Sequence, residues 1–263
     1  MLYQRHVPAR STLTITVKII VLGWVWFTLS SKAFGEDLAV AVASNFLNPF
    51  RSIANEFKKT APHTVRIISG STGSLFAQIS NGAPYHVFLA ADSWRPKILE
   101  EKGIAVQGSR YVYARGRLTL WSADPDRIGK NGIDTLRRKN FRHLAIANPK
   151  TAPYGQASIK ILEKLDLLDA LSPLIVRGGN IGQTFLFVFT GNAELGFVSL
   201  SQVLDPKLKN KGSRWDIPEE YHDPLEQSVV LLKKGQNNKA AKALMRFLKG
   251  AKAKALIQQY GYE

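Results

Sequence analysis

The sequence predicts an α/β protein built on largely parallel sheets. Short apolar runs alternate with helix-periodic stretches along most of the 263 residues. Glycine, serine, threonine and asparagine gather where the apolar runs end, as strand-to-helix turns require. A hydrophobic share of 45% against 21% charged residues is enough to bury a core.

The alternation opens with Asp37–Ala43 (DLAVAVA), uncharged after its first residue and read as a buried strand. Phe46, Phe50, Ile53 and Phe57 then recur at helical spacing up to Lys59. Residues 65–68 form the next strand. Residues 74–81 form a short helix that Gly82 can end in the left-handed region. Residues 85–90 (YHVFLA) are a third strand, and 96–102 a helix stopped by Gly103. Segments 110–114 and 117–122 read as extended chain leaving this first unit. A second alternating unit follows: strand 144–147, helix 156–165, strand 174–177, helix 182–190 and strand 195–200. Residues 206–213 (PKLKNKGS) read as a basic, turn-rich surface loop. Strand 227–232 (QSVVLL) and helices 239–248 and 251–260 complete the reading.

Four strand-to-helix junctions carry the candidate chemistry. They are Ala43-Ser44-Asn45-Phe46, Ser69-Gly70-Ser71-Thr72-Gly73-Ser74, Ala152-Pro153-Tyr154-Gly155-Gln156 and Gly178-Gly179-Asn180-Ile181-Gly182-Gln183. In an open α/β sheet, ligands bind beyond the carboxyl ends of the strands. Helix N-termini there present free N–H groups and a positive dipole end, which suits an anion. Hydroxyls add donors, and glycine lets backbone approach closely. None of the four loops contains Lys, Arg, Asp or Glu. A protonated anion such as hydrogen phosphate would find no carboxylate to take its proton, so a fully deprotonated dianion fits better. Each loop taken singly also reads as an ordinary helix cap or turn.

Other chemistries lack their signatures. The chain has no G-x-S-x-G elbow, no phosphate-loop motif and no G-x-G-x-x-G. His6, His63, His86, His143 and His222 are scattered without metal-ligand spacing. An exported hydrolase using Ser71 or Ser158 would need a base that no motif supplies.

Residues 1–35 read as a cleaved signal peptide. Arg5, Arg10 and Lys18 precede an apolar run at 19–29, and Ala33 and Gly35 fit a small-x-small cleavage pattern. The run is short for a bilayer span. The mature chain is expected to begin near Glu36, in the periplasm. Cysteine is absent, which excludes both disulfide support and a lipid anchor on the mature chain. The formal charge is +16, and the leader holds four cations and no acid, leaving +12. Export argues against a nucleic-acid partner, and solvated lysines account for most of that charge.

At the four loops the sequence resembles the periplasmic molybdate-binding family within the type II periplasmic binding proteins. The resemblance rests on AVASNF at 41–46, SGSTGSLFAQISNGAPYHVFLAAD at 69–92, IANPKTAPYG at 146–155, GNIGQ at 179–183, ELGFVSLSQV at 194–203 and the GYE at 261–263. It implies two α/β lobes, each a mostly parallel sheet flanked by helices, joined by two crossing strands and closing on one oxyanion. Lobe one would be about 36–116 plus 227–263, and lobe two about 117–226. Carried over, the donors fall on Ser44 and Asn45, on Thr72 with Ser71 beside it, on the Tyr154 backbone, and on the Ile181 backbone next to Asn180. Some members add a tyrosine hydroxyl from a later strand. The matching residue is Ser199, whose short side chain must reach further. The resemblance implies a binding protein and no enzyme. It would use no cofactor and bind molybdenum only as the oxyanion, without direct protein ligands to the metal. It would act as a monomer with an inner-membrane ABC permease as partner. Tungstate, of nearly the same size and charge, is an equal candidate, and a sulfate, phosphate or iron-chelate receptor is the alternative.

Overall fold

The computed structural model describes residues 36–60, 63–208 and 211–263. The expected leader, 1–35, lies outside the described residues. In chain order the elements are β1 (Asp37–Ala43), a 3-10 turn (Ser44–Phe46), α1 (Leu47–Lys58), β2 (Thr64–Gly70), α2 (Thr72–Ser80), β3 (Val87–Leu89), α3 (Trp94–Glu101), β4 (Tyr111–Gly116) and β5 (Leu118–Ser122). There follow α4 (Gly132–Arg138), β6 (Leu144–Ala147), α5 (Pro153–Lys164), α6 (Leu168–Leu171), β7 (Ile175–Gly178), α7 (Ile181–Phe189), β8 (Leu195–Ser199) and α8 (Leu200–Val203). The last are β9 (Ser213–Asp216), β10 (Leu225–Leu231), α9 (Lys239–Lys249) and α10 (Ala251–Gln259).

The strands form two five-stranded sheets, ordered β2-β1-β3-β10-β4 and β7-β6-β8-β5-β9. Both repeat one pattern. Three strands run parallel, as right-handed strand-helix-strand crossovers dictate. An antiparallel strand follows, flanked by the sheet's last strand. In each sheet that antiparallel strand arrives from the other one: β5 leaves β4 across the single residue Arg117, and β10 returns after β9. The two-lobed α/β architecture is thus the one expected.

Burial follows the sequence pattern. Phe50, Ile53 and Phe57 on α1 and Leu244 and Leu248 on α9 pack with Leu38, Val40 and Val42 into one core. Leu120, Ile146, Ile161, Leu162 and Phe197 anchor a second, over the other sheet. Apolar stripes at i, i+3 and i+7 bury one face of α1, α5 and α9, and removal of a fully buried aliphatic side chain there costs about 2–5 kcal/mol.

Several local features depart from the sequence reading, which has no counterpart to the helices α4 and α6. α5 starts at Pro153, three residues early, because proline at the first helical position fits without its N–H. α2 starts at Thr72 under the cap of Ser71, since one glycine does not break a first turn. Segment 206–213 is not all loop: its Leu208 is buried and Ser213 begins the edge strand β9, a short strand too charged to show alternation.

Register sets the site. β1 and β2 end side by side, with Ala43 opposite Gly70, so the first two loops leave one sheet together. β6 and β7 end likewise, with Ala147 opposite Gly178, delivering the other two.

Candidate functional site

The four loops meet between the lobes around a small pocket. Its lining includes Ser44, Asn45, Ser71, Thr72, Tyr154 and Ile181. The pocket is small, which points to an occupant of a few heavy atoms. All of these residues but Ser44 are buried.

The N-termini of three helices contribute. Thr72 opens α2, Tyr154 is the second residue of α5, and Ile181 opens α7. The 3-10 turn at Ser44–Phe46 supplies a fourth. Among the described residues the backbone N–H groups of Ser44, Asn45, Ser71, Thr72, Tyr154 and Ile181 have no protein acceptor. Buried N–H groups almost always find a partner, so five without one, beside that of half-buried Ser44, around a single pocket call for an acceptor from outside the chain.

Two hydroxyls are oriented for the same task. Thr72 Oγ1 accepts from the Ala91 N–H at 3.0 Å, and Ser44 Oγ accepts from the Gly182 N–H at 3.3 Å. With that lone pair occupied, the proton of each hydroxyl is left to donate. Ser71 acts differently: its Oγ caps α2 by accepting from Ser74 N–H at 3.3 Å and donates to Ser74 Oγ at 2.7 Å.

Among the described residues, no charged side chain lines the pocket. The nearby Asp92 and Arg95 are both buried and neutralise each other in an ion pair. Burial raises the Asp92 carboxyl above its usual value, an effect that Arg95 partly offsets. Behind the pocket lie the Tyr113, Tyr154 and Tyr262 hydroxyls. Burial lifts the first two well above the ordinary value and the third to about 12, so all three remain protonated donors at neutral pH.

Of the eight residues singled out in the sequence, six line this pocket. Asn180 and Ser199 do not. Asn180 caps α7, accepting from Gln183 N–H at 3.0 Å, and faces a wider groove. Ser199 heads α8 in a capping box with Gln202 and donates to Gln202 Oε1 at 3.0 Å. Gln202 in turn donates to the Ile181 carbonyl at 3.1 Å, so Ser199 supports the fourth loop from behind. Ser158 donates to the Tyr154 carbonyl at 2.8 Å within α5 and is fully buried, which leaves it no role as a nucleophile.

Sequence reasoning missed the residues that join the lobes. Gly73 N–H donates to the Thr151 carbonyl at 2.8 Å across the cleft. Asn48 Nδ2 donates to Asp205 Oδ2 at 2.6 Å, and Gln227 Nε2 to the Tyr154 hydroxyl at 3.0 Å. A buried glutamine inside an apolar strand was the one legible signal, since such a side chain needs partners.

The sequence profile described as bacterial extracellular solute-binding protein matches residues 38–263. The molybdate-binding protein ModA of Azotobacter vinelandii is 47% identical over 234 residues, covering 89% of this chain and 92% of that protein. ModA of Rhodobacter capsulatus is 45% identical over 234 residues, covering 89% and 91%. The solved periplasmic molybdate-binding protein of Azotobacter vinelandii superposes with a TM-score of 0.83 at 42% identity, covering 86% of this chain and 98% of that one. On its fold, its loops and these likenesses, the chain belongs to the bacterial extracellular solute-binding protein family.

Proposed function

We propose that the protein captures molybdate or tungstate in the periplasm and delivers it to an ABC importer of the inner membrane. One observation carries this reading: six N–H groups without protein acceptors and two hydroxyl donors surround a small pocket lined by no charge. Helix dipoles and neutral donors can hold a small anion, each charge-assisted bond contributing about 1.5–3 kcal/mol. No carboxylate is present to accept the proton of hydrogen phosphate, so selectivity favours a fully deprotonated tetrahedral dianion. The curated ModA relatives support molybdate as that ion. The protein binds and releases its ligand without turnover, needs no cofactor, and works as a monomer after its leader is removed near Glu36.

Calorimetry of the mature protein with molybdate, tungstate, sulfate and phosphate tests the reading. Molybdate and tungstate are expected to bind tightly and phosphate negligibly. Equal affinity for phosphate and molybdate at neutral pH would refute it, and preference for sulfate would move the assignment to that ion.

A further inference from the structure

Gln227 lies within β10 and is fully buried. Its amide bonds three side chains. Oε1 accepts from Asn45 Nδ2 at 2.9 Å and from the Tyr113 hydroxyl at 3.0 Å. Nε2 donates to the Tyr154 hydroxyl at 3.0 Å. Two donors converging on Oε1 fix which way the amide points. Asn45 and Tyr154 both line the pocket, the first from the lobe of β1 and the second from the lobe of β6, whereas Gln227 does not line it. Gly116 makes room: a Cβ there would collide with the Tyr154 hydroxyl and with Gln227 Nε2.

A second arm reinforces the first. Asn45 Nδ2 also donates to the Tyr262 hydroxyl at 2.9 Å. The Tyr262 hydroxyl donates to Ser201 Oγ at 3.0 Å, and Ser201 Oγ donates to the Asn45 carbonyl at 2.9 Å. Ser201 belongs to α8, on the far lobe. Phe46 is wedged between the Tyr113 and Tyr262 rings, at 4.7 and 5.3 Å, which fixes the backbone beside Asn45. In this assignment the hydroxyl protons of Tyr113, Tyr262 and Ser201 each have one acceptor.

We propose that Gln227 is a positioning residue for the oxyanion pocket, its amide coupling Asn45 on one lobe to Tyr154 on the other. The inference rests on the function proposed above. Opening the lobes breaks the Gln227–Tyr154 and Tyr262–Ser201 bonds, whereas closure restores them all at once. The network therefore governs how long an ion stays, and capture by the open form does not depend on it. The Tyr154 hydroxyl gains a role that its backbone contact alone would not give it.

The test is stopped-flow binding with molybdate as the probe, on Gln227→Leu, Tyr154→Phe and the double variant. Each single change is expected to raise koff about tenfold, the equivalent of one lost buried hydrogen bond, with kon within about twofold of the parent. The double variant is expected to be no worse than the worse single one, because both remove the same link. A merely structural role would lower thermal stability and leave koff unchanged. The proposal is overturned by a koff within about twofold of the parent in Tyr154→Phe, or by additive effects in the double variant. If Gln227→Leu does not fold, Tyr154→Phe alone decides. If the parent binds no molybdate, the functional reading fails by itself. Hydrogen exchange at the Gly73 amide, whose bond crosses the cleft, then decides: faster exchange in the variants supports the coupling, and unchanged exchange overturns it.

Discussion

Gly73→Ala isolates lobe closure from every other property of the site. Gly73 is the second residue of α2, and its N–H reaches the Thr151 carbonyl of the opposite lobe at 2.8 Å. A Cβ there would lie 2.8 Å from the Thr151 oxygen and 2.9 Å from its Cα, where ordinary contacts begin near 3.4 Å. Both obstacles are backbone, so the lobes must part by roughly 0.6 Å at this joint. Overpacking of this kind costs about 1–3 kcal/mol. Losing the hydrogen bond as well adds about 0.5–1.5 kcal/mol. The closed form is therefore penalised by about 1.5–4.5 kcal/mol, which weakens molybdate binding about tenfold to two-thousandfold. An open form has no such clash, and alanine there favours the helix by up to about 1 kcal/mol over glycine. Calorimetry and thermal unfolding of the ligand-free protein, run together, should show affinity falling while stability holds. A dissociation constant within about threefold of the parent would refute the argument, because the two lobes would then not need the approach that glycine permits.

Thr72→Ala removes the hydroxyl proposed to donate to the ion and orphans the Ala91 N–H. Calorimetry should show a roughly tenfold to hundredfold loss of affinity and unfolding a loss of about 1–3 kcal/mol, with Thr72→Ser recovering most of both. His86 accepts from the Ala39 N–H through Nδ1 at 3.1 Å, and burial, aided by Arg66, holds its pKa below 6.5. The neutral ring thus stabilises the fold fully above pH 6.5. That contribution is lost as pH falls from there through the folded-state value, since the unfolded chain takes up the proton first. Chemical denaturation at pH 7.5 and pH 5 should show a smaller loss in His86→Gln than in the parent.

Much of the candidate site was legible because it is local. Ser71, Thr72, Tyr154 and Ile181 follow strands and precede helices, and hydroxyl and glycine residues at such junctions are dictated by turn geometry. The parallel alternation was readable from apolar runs such as DLAVAVA for the same reason. What escaped is long-range. Gln227 sits in a run that reads as plain strand, and its meaning comes from Asn45 and Tyr154, each far away in sequence. Tyr262 lies just past α10, where nothing local points to Ser201. Asn180 and Ser199 illustrate the opposite limit: cap residues and ligand donors share one chemistry, and only geometry separates them.

Among the described residues, the pocket has no titratable side chain in its lining apart from Tyr154, whose phenol stays protonated. An ion entering it trades its hydration shell for N–H and O–H dipoles and meets no group that must gain or lose a proton. Loading is therefore proton-neutral, and the heat of binding should be the same in buffers of different ionisation enthalpy. The loaded protein differs from the empty one by the whole charge of its cargo, with no compensating titration among the described residues of the lining. A receiver at the membrane can tell the two apart only by that charge and by how the lobes are set.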